Sequence, residues 1–331
     1  MSFLVTERQE PSSCKPQPKT FFQRIKKWAI LSLIIFISVK TIQWWEGRGE
    51  GFRLYKIQDE VPYDSRWDLV TTPQEVEEAK RIIQQKFYYL GHGFQCYAFE
   101  SEDGMYVIKF FRYQRLRLPN IIMSMPEFPL FSEWRKTRLL SLGRRKEYLL
   151  RSFKTSWQHA KDETALIYMQ LNKKPQAGFP GVTIVDALGN EYLIYPDNYQ
   201  FMLQKKALHI KPTIDALLAK TDIAGARDRI DQIFNLLLHC AKRGIQDTDG
   251  ALIRKNNLGF LGDRAIYIDG GKLIFKDRLR SVKSFEKDLE RLNPLLGWIK
   301  KTHPELETHF HASLKRVVQE YKEFLETRKA V

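Results

Sequence analysis

The sequence predicts an α+β fold with strands in its first half and helices in its second. From Lys86 onward the residues follow a period of two through runs rich in aromatic and β-branched side chains. After Pro212 the apolar residues recur with helical spacing instead. An uncharged apolar run from Trp28 to Val39 predicts a single hydrophobic helix ahead of the folded part.

Composition restricts the class of partner. The 331 residues are 43% hydrophobic and carry a net charge of +15, so the chain can bury a core and favours anionic partners. Cys14, Cys96 and Cys240 form no CxxC pair, which argues against a disulfide framework or a zinc site. Basic stretches occur without a helix-turn-helix, zinc or RNA-binding signature, so nucleic acid is not the expected partner.

The N-terminus predicts attachment to a membrane. Residues 1–20 are polar and are expected to be disordered, and residues 21–45 are expected to form a transmembrane or membrane-anchor helix. Tryptophans bracket the apolar run, and a helix over residues 28–45 would be about 27 Å long, close to the ~30 Å hydrocarbon core. A signal peptide and an interfacial helix are the alternatives.

The next segments predict the first half of the fold. Residues 46–71 are expected to be a juxtamembrane linker, and Thr72 and Pro73 to begin a helix. KFYYLGHGF, QCYAFES and MYVIKFF are predicted strands, and the proline-containing stretch after them is predicted to be an irregular loop leading into helices. SWQHAKDETALIYMQLN predicts an amphipathic helix, and GVTIVDALG and YQFMLQKKA predict two more strands.

The second half is predicted to be mainly helical. TIDALLAK and ARDRIDQIFNLLLHCAKRG predict helices, the latter with Gly244 as its C-cap. The loop IQDTDGALIRKNN leads to two short predicted strands, LGFL and AIYID. Two helices are expected to follow, one near Lys283 to Lys301 and one from Pro304 to about Thr327.

The order of these segments resembles the protein-kinase-like superfamily over roughly residues 86–275. LGHGFQCYAF resembles the glycine-rich loop, and VIKFF places Lys109 where the family's third strand carries its nucleotide lysine. RGIQDTDGALIRKNN resembles the catalytic loop, and IYIDGG resembles the metal-binding Asp-Phe-Gly element with Asp269 in the lead. The resemblance implies a bilobal fold with a small antiparallel-sheet N-lobe at 72–206 and a short, mainly helical C-lobe at 207–331.

The resemblance also implies the cofactors and the roles of individual residues. ATP and Mg²⁺ are the expected cofactors. Gly91, Gly93, Lys109 and Glu163 are expected to bind the nucleotide, with Asp162 as the alternative to Glu163. Asn257 and Asp269 are expected to bind the metal, with Asn256 as the alternative to Asn257, and Asp249 is expected to act on the acceptor hydroxyl. An outward-facing Lys109 on an alternating strand remains the structural alternative for that residue.

Several departures from the family pattern bear on activity. Cys96 replaces the third glycine, Asp-Thr-Asp replaces the usual His-Arg-Asp, and Asp-Gly-Gly lacks the phenylalanine. Arg254 or Lys255 is expected to supply the charge of the usual catalytic-loop lysine. The short segment after Asp269 resembles that of bacterial lipopolysaccharide-core sugar kinases rather than that of peptide-directed kinases.

The sequence therefore predicts a membrane-anchored, ATP-dependent phosphotransferase whose acceptor is a hydroxyl of a small molecule or a membrane glycolipid. A catalytically inactive pseudokinase that binds nucleotide or acts as a scaffold is the alternative. More Lys and Arg residues precede the apolar run than follow it, which favours export of the main domain. Because ATP chemistry requires the cytosol, we expect the main domain in the cytoplasm, at the bacterial inner membrane.

Overall fold

The structure is a computed structural model that describes residues 19–47, 51–58, 62–118, 123, 129–173, 177–248, 252–253 and 257–329. The chain divides into two compact units, with the boundary between Gly51 and Phe52. Helix α1, Lys19–Gly47, makes up the described part of the first unit and contains the predicted segment 21–45. Within the described ranges, no helix combines the length and the apolar character needed to cross a membrane.

The second unit contains all of the strands of the described chain and the remaining helices. The strands are β1 Phe87–His92, β2 Cys96–Ser101, β3 Tyr106–Phe111, β4 Leu166–Gln170, β5 Val182–Val185, β6 Glu191–Ile194, β7 Phe201–Lys205, β8 Leu208–His209, β9 Ile245–Asp247, β10 Leu258–Leu261, β11 Arg264–Tyr267 and β12 Leu273–Phe275. The helices are α2 Pro73–Ile82, α3 Pro129–His159, α4 Ile210–Leu218, α5 Ile223–Lys242, α6 Val282–Leu289, α7 Asn293–Thr302 and α8 Glu307–Lys329. The unit is thus mixed α+β, with a helical C-terminal part.

A seven-stranded sheet forms the first half of this unit, in the order β4-β7-β3-β2-β1-β5-β6. β1, β2 and β3 pair as consecutive antiparallel strands, as their period-two pattern predicts. β1 also pairs in parallel with β5, which extends the sheet by the β5–β6 hairpin. Aromatic side chains fill one side of the sheet, and Phe87, Phe99, Phe110 and Phe201 are fully buried.

The helical part packs around α5. Its apolar stripe, including Ile230, Ile233 and Phe234, is buried against the neighbouring helices and short strands. Gly244 follows α5 with φ +76°, which confirms its predicted position at the helix end. A Cβ at Gly244 would lie 2.3 Å from the carbonyl oxygen of Lys276, so only glycine allows β9 and β12 to pair there.

The predicted helix over 156–172 is wrong in its second half. Helix α3 ends at His159, and residues 166–170 form strand β4, which pairs with β7. All five side chains of β4 are buried, so its sequence LIYMQ lacks the alternation by which a half-exposed strand is recognised. Ala165, with φ +49°, forms the turn immediately before the strand. Helix α3 begins at Pro129, inside the stretch that was predicted to be an irregular loop leading into helices.

The segment predicted as a linker over 46–71 is instead partly folded onto the sheet. Phe52, Ile57 and Trp67 are buried, and short 3₁₀ turns cover Leu54–Lys56 and Ser65–Trp67. The Phe52 ring packs edge-on against the rings of Tyr97 at 5.2 Å and Phe99 at 5.1 Å. The apolar residues of this segment are few and are separated by Gly, Asp and Pro. They therefore show no periodicity from which this packing could be predicted.

The C-terminal helices follow the prediction except that the first of them is divided into two. The predicted helix near Lys283 to Lys301 is two helices, α6 and α7, separated by a 3₁₀ turn at Glu290–Leu292. Pro294 follows this turn in the first turn of α7, where its missing N–H costs no helical hydrogen bond.

We predict that Phe52→Ala lowers the free energy of unfolding by about 3–5 kcal/mol, because it leaves a cavity between aromatic rings. Urea unfolding of a variant that lacks residues 1–51 would measure this, since the second unit begins at Phe52. Val70→Ala, at a side chain that is 90% exposed, is the control and should change stability by less than about 0.5 kcal/mol. Equal stability of the two variants would show that Phe52 does not belong to the core.

Candidate functional site

A cavity of about 530 Å³ lies between the seven-stranded sheet and helix α4. On its sheet side, β1, β2 and β3 contribute the apolar side chains Leu90, Ala98 and Val107, beside the polar side chains Lys109 and Gln204. Residues 205–209, which connect β7 to α4, form another side. Cavities of about 300–1,000 Å³ with mostly apolar walls and few polar groups are typical of small-molecule sites.

Lys109 brings a positive charge into this cavity from the middle of β3. Its Nζ atom donates to the Gln204 Oε1 atom at 2.7 Å and to the carbonyl oxygen of Ile268. Burial lowers the pKa of Lys109, and the negative charge of Asp269 opposes this shift. An ammonium group has three N–H donors, so one remains for a ligand within the described part of the chain. The side chain therefore points inward, as the resemblance implied.

Gln204 holds Lys109 in place and was not identified from the sequence. The side chain is buried on β7, and its Nε2 atom donates to the carbonyl oxygens of Thr164 at 2.5 Å and Tyr267 at 3.1 Å. One amide thus connects β7, the turn before β4 and the end of β11. A glutamine inside the apolar strand FMLQ was the available signal, because a buried amide requires partners for both of its polar atoms.

Asp269 and Asn257 lie at adjacent strand ends. The carbonyl oxygen of Asn257 accepts from the Ile268 N–H at 2.8 Å, which extends the β10–β11 pairing to the residue before Asp269. One carboxylate oxygen of Asp269 accepts from the Gly271 N–H at 2.9 Å. Since the Ile268 carbonyl accepts from Lys109, the amine of Lys109 is bonded to the residue that lies between the β10–β11 pairing and Asp269.

Helix α3 fixes the loop that follows Asp269. Ser156 donates to the Gly270 carbonyl oxygen at 2.7 Å, and Ser152 donates to the Leu273 carbonyl oxygen at 2.8 Å. Both serines are buried, so they satisfy loop carbonyls that water does not reach. A Cβ at Gly270 would lie 2.7 Å from the Ser156 Oγ atom, which explains the first glycine of the Asp-Gly-Gly sequence.

The two predicted loop glycines lie at the end of β1. Gly91 has φ +151° and follows a bulge in the β1–β2 pairing, so its backbone favours glycine. A Cβ at Gly91 or Gly93 would meet no atom within 4 Å, so both residues border open space. At the tip of this loop, Gln95 donates from Nε2 to the Gly271 carbonyl oxygen at 3.0 Å. The loop tip is thereby connected to the segment after Asp269.

The predicted pairing of Glu163 with Lys109 is wrong. Glu163 lies in the turn between α3 and β4, and its carboxylate bonds to Arg243 and to the His239 Nε2 atom at 2.9 Å. Arg243 also donates to the His159 carbonyl oxygen at 2.8 Å. The Glu163–Arg243 pair therefore joins the end of α3 to the end of α5. Its sequence neighbourhood suggested a helix, whereas the turn directs it away from the amine of Lys109.

The predicted catalytic residue Asp249 lies outside the described residues, as do the alternatives Arg254, Lys255 and Asn256. The strand before Asp249 is described: β9 pairs with β12, and the Thr248 N–H donates to the Lys272 carbonyl oxygen at 3.0 Å. The chain therefore enters the predicted catalytic loop beside the segment that follows Asp269.

The described residues are compatible with Mg²⁺ and a nucleotide. No group of three or more His, Cys, Asp or Glu side chains suited to a metal occurs within them. Mg²⁺ needs fewer protein ligands when phosphates complete its shell, and one or two oxygen ligands from the protein are usual. The Asp269 carboxylate, at a strand end near a lysine, is a suitable ligand, and the amide of Asn257 is the second candidate.

Among known proteins, similarity to this chain is found in solved structures. No protein-family model matches the chain, and no curated protein matches it. Among solved structures, the bifunctional kinase-methyltransferase WbdD matches with 15% sequence identity and a TM-score of 0.34. The match covers 69% of this chain and 43% of that chain.

We predict a pH-dependent contribution of Lys109 to stability. An unfolded lysine holds its proton up to a pH of about 10.4, whereas the buried amine releases its proton at a lower pH. Between these two pKa values the unfolded chain binds more protons, so stability should rise with pH there. Urea unfolding would show this as a rising stability of the natural protein relative to Lys109→Met.

Lys109→Arg provides a second reference for this measurement, since arginine stays charged throughout the same pH range. The stability of the natural protein should rise relative to this variant as well. A difference that is constant with pH against both variants would show that the amine is not buried.

Proposed function

We propose that the second unit is an ATP-dependent phosphotransferase with a protein-kinase-like, bilobal arrangement. The observation that carries this proposal is the bond from Lys109, which lines an apolar cavity, to the carbonyl oxygen of Ile268, the residue before Asp269 and far from Lys109 in sequence. The order of elements supports it: a glycine loop, a strand lysine, a long helix, and a strand followed two residues later by an aspartate occur one after another. In this proposal the sheet and the helical part are the two lobes.

The apolar walls of the cavity suit the base of the nucleotide. Leu90, Ala98 and Val107 offer the flat apolar contact that an aromatic ring requires. The remaining N–H of Lys109 would donate to a phosphate oxygen, and the open space beside Gly91 and Gly93 leaves their backbone accessible to phosphates. These roles place the phosphates near Asp269.

Magnesium would be held by Asp269 and Asn257, and when bound it would neutralise charge on the phosphate oxygens. Asp249, which follows β9, would orient the acceptor hydroxyl and accept its proton. The acceptor oxygen would form a bond to the γ-phosphorus as the bond from that phosphorus to the β–γ bridging oxygen breaks, leaving ADP. The chain itself thus supplies positioning, charge and a base.

The acceptor is proposed to be a hydroxyl group of a small molecule or a membrane glycolipid. Helix α1 exposes a continuous set of apolar side chains that would favour a lipid environment: Trp28, Ile30, Leu31, Leu33, Ile34, Ile35, Phe36 and Ile37. The net charge of +15 favours approach to an anionic membrane surface. Attachment through residues 28–45, with the main domain on the cytoplasmic side, belongs to this proposal.

A pseudokinase is the second candidate, and a specific observation favours it. Among the described residues, no carboxylate hydrogen-bonds to Lys109; its acceptors are an amide and a backbone carbonyl. The bond from Gln95 to Gly271 also draws the glycine loop toward the Asp269 segment, over the proposed phosphate position. A module that binds nucleotide without transferring phosphate would have both features.

Substitutions of the two aspartates should separate these functions. Asp269→Asn should weaken Mg²⁺-dependent nucleotide binding and abolish transfer, because an amide lacks the charge that offsets dehydration of the metal. Asp249→Asn should leave nucleotide binding nearly intact and slow turnover by roughly 10²–10⁴, the usual scale for a lost general base. Calorimetric titration with a nonhydrolysable ATP analogue, with and without Mg²⁺, and a phosphate-transfer assay would measure these effects.

Asp263→Asn is the matched control, because Asp263 is exposed in the turn between β10 and β11, outside the cavity. It should match the natural protein in both measurements. Nucleotide binding by every variant, with no transfer by any across a broad set of acceptors, would favour the pseudokinase. Absence of nucleotide binding by the natural protein would refute the phosphotransferase and the nucleotide-binding form of the pseudokinase.

A further inference from the structure

A second cavity, of about 410 Å³, lies on the other side of the glycine-loop tip. It is formed by the loop between β1 and β2, the segment after β3, and helix α3. Its lining includes Phe94, Arg115, Arg117, Trp134, Arg138 and Leu142. We call this cavity the arginine pocket.

Charge is the first distinctive property of the arginine pocket. Among the described residues, its lining contains three arginines and no acidic side chain. Within the described chain neither Arg115 nor Arg138 takes part in a salt bridge, and both side chains are exposed. Arg117 donates to the Tyr55 carbonyl oxygen at 3.0 Å, which fixes its position at the edge of the pocket. Guanidinium groups arranged in this way favour a ligand with a concentrated negative charge.

The neighbouring Arg112 reflects this accumulation of positive charge. Its pKa is lowered by burial and, in addition, by the charge of Arg115. Its Nη1 atom donates to the Gly93 carbonyl oxygen at 2.6 Å, so it supports the glycine loop. Arginines therefore both hold the loop and line the pocket beside it.

Aromatic surface is the second property. Phe94 is 65% exposed and Trp134 is 47% exposed, although both are large apolar side chains. The Arg115 guanidinium lies 4.7 Å from the centre of the Phe94 ring, which orients it at the pocket. Leu118 and Leu142 are buried beneath them. Rings and guanidinium groups together suit a ligand that combines an apolar face with an anionic group, such as a phosphorylated sugar.

The location connects the pocket to the proposed reaction. Phe94 lies between Gly93 and Gln95, and Gln95 donates to the Gly271 carbonyl oxygen beyond Asp269. The pocket therefore opens next to the proposed phosphate end of the nucleotide site, at the same loop.

We propose that the arginine pocket binds a phosphate group already present on the acceptor, so that the substrate is a phosphate monoester, either a free sugar phosphate or a lipid headgroup. This inference rests on the proposed phosphotransferase function and specifies its substrate class. It assigns Arg115 and Arg138 to binding of the acceptor, distinct from the nucleotide contacts of Lys109 and Asp269.

The test compares two double variants of the full-length chain in non-ionic detergent. Arg115→Gln/Arg138→Gln removes two charges from the pocket. Arg144→Gln/Arg145→Gln removes two exposed charges outside the pocket, from helix α3, which also carries Arg138. Calorimetry measures binding of glucose phosphorylated on its primary hydroxyl and of dihexanoyl phosphatidic acid, with glucose and dihexanoyl phosphatidylcholine as neutral-headgroup controls. The nonhydrolysable ATP analogue with Mg²⁺ is titrated into the same samples.

We expect the pocket variant to lose about tenfold or more in affinity for a phosphate monoester, the usual scale for charged hydrogen bonds. The control variant should lose less than about threefold, the scale of screened surface charges, and ATP-analogue affinity should stay unchanged in both variants. Loss for both monoesters, or for either one alone, supports the proposal, and the pattern identifies the source of the phosphate. Arg115→Lys/Arg138→Lys should recover part of the affinity.

Equal losses in the two double variants would attribute binding to general electrostatics and overturn the proposal. A parallel loss of ATP-analogue affinity in the pocket variant would assign the arginines to the nucleotide and overturn it as well, as would absence of monoester binding to the natural protein. ATP-analogue binding in the natural protein distinguishes these failures from a failure of the phosphotransferase function.

Discussion

The position of the Lys109 amine is the constraint on which the rest of the site depends. An ammonium group in an apolar cavity is costly unless hydrogen bonds replace its hydration. Its acceptors come from two places, Gln204 on β7 and the Ile268 carbonyl at the end of β11. The Lys109 side chain thereby bonds the sheet to Ile268, the residue before Asp269. The need to satisfy this amine sets the separation of Lys109 and Asp269.

Carboxamide groups, rather than carboxylates, make the central connections of this site. Gln204 joins three segments through its amide, and Gln95 joins the glycine loop to Gly271. Neutral partners leave the positive charge of Lys109 less compensated than a carboxylate would, which strengthens its attraction for a phosphate. The buried acid nearest in sequence to β4, Glu163, instead balances Arg243 at the end of α5. Structural ion pairing and the proposed ligand chemistry are therefore separated in space.

Parts of the fold and the site could be predicted because they depend on local pattern or on order. Alternation identified the β1–β3 strands. The resemblance in segment order assigned Lys109, Asn257 and Asp269 to one site, and in the structure Ile268 bonds to both Lys109 and Asn257. Strand β4 was missed because burial on both faces removes alternation from LIYMQ. The partners of Glu163 and the roles of the two glutamines depend on contacts between distant segments, such as Gln204 with Tyr267, which one sequence does not encode as a pattern.

The bond between Gln95 and Gly271 has a consequence for the affinity of a bound nucleotide. A nucleotide whose phosphates pass under the loop tip requires this bond to open, so only the open fraction of molecules is competent. The apparent dissociation constant then equals the intrinsic constant divided by that fraction, and any ligand that favours the open loop increases nucleotide affinity without touching the nucleotide. Since Phe94, next to Gln95, lines the arginine pocket, occupancy of that pocket and of the proposed nucleotide site would be thermodynamically coupled, with each ligand changing the affinity of the other by the same factor.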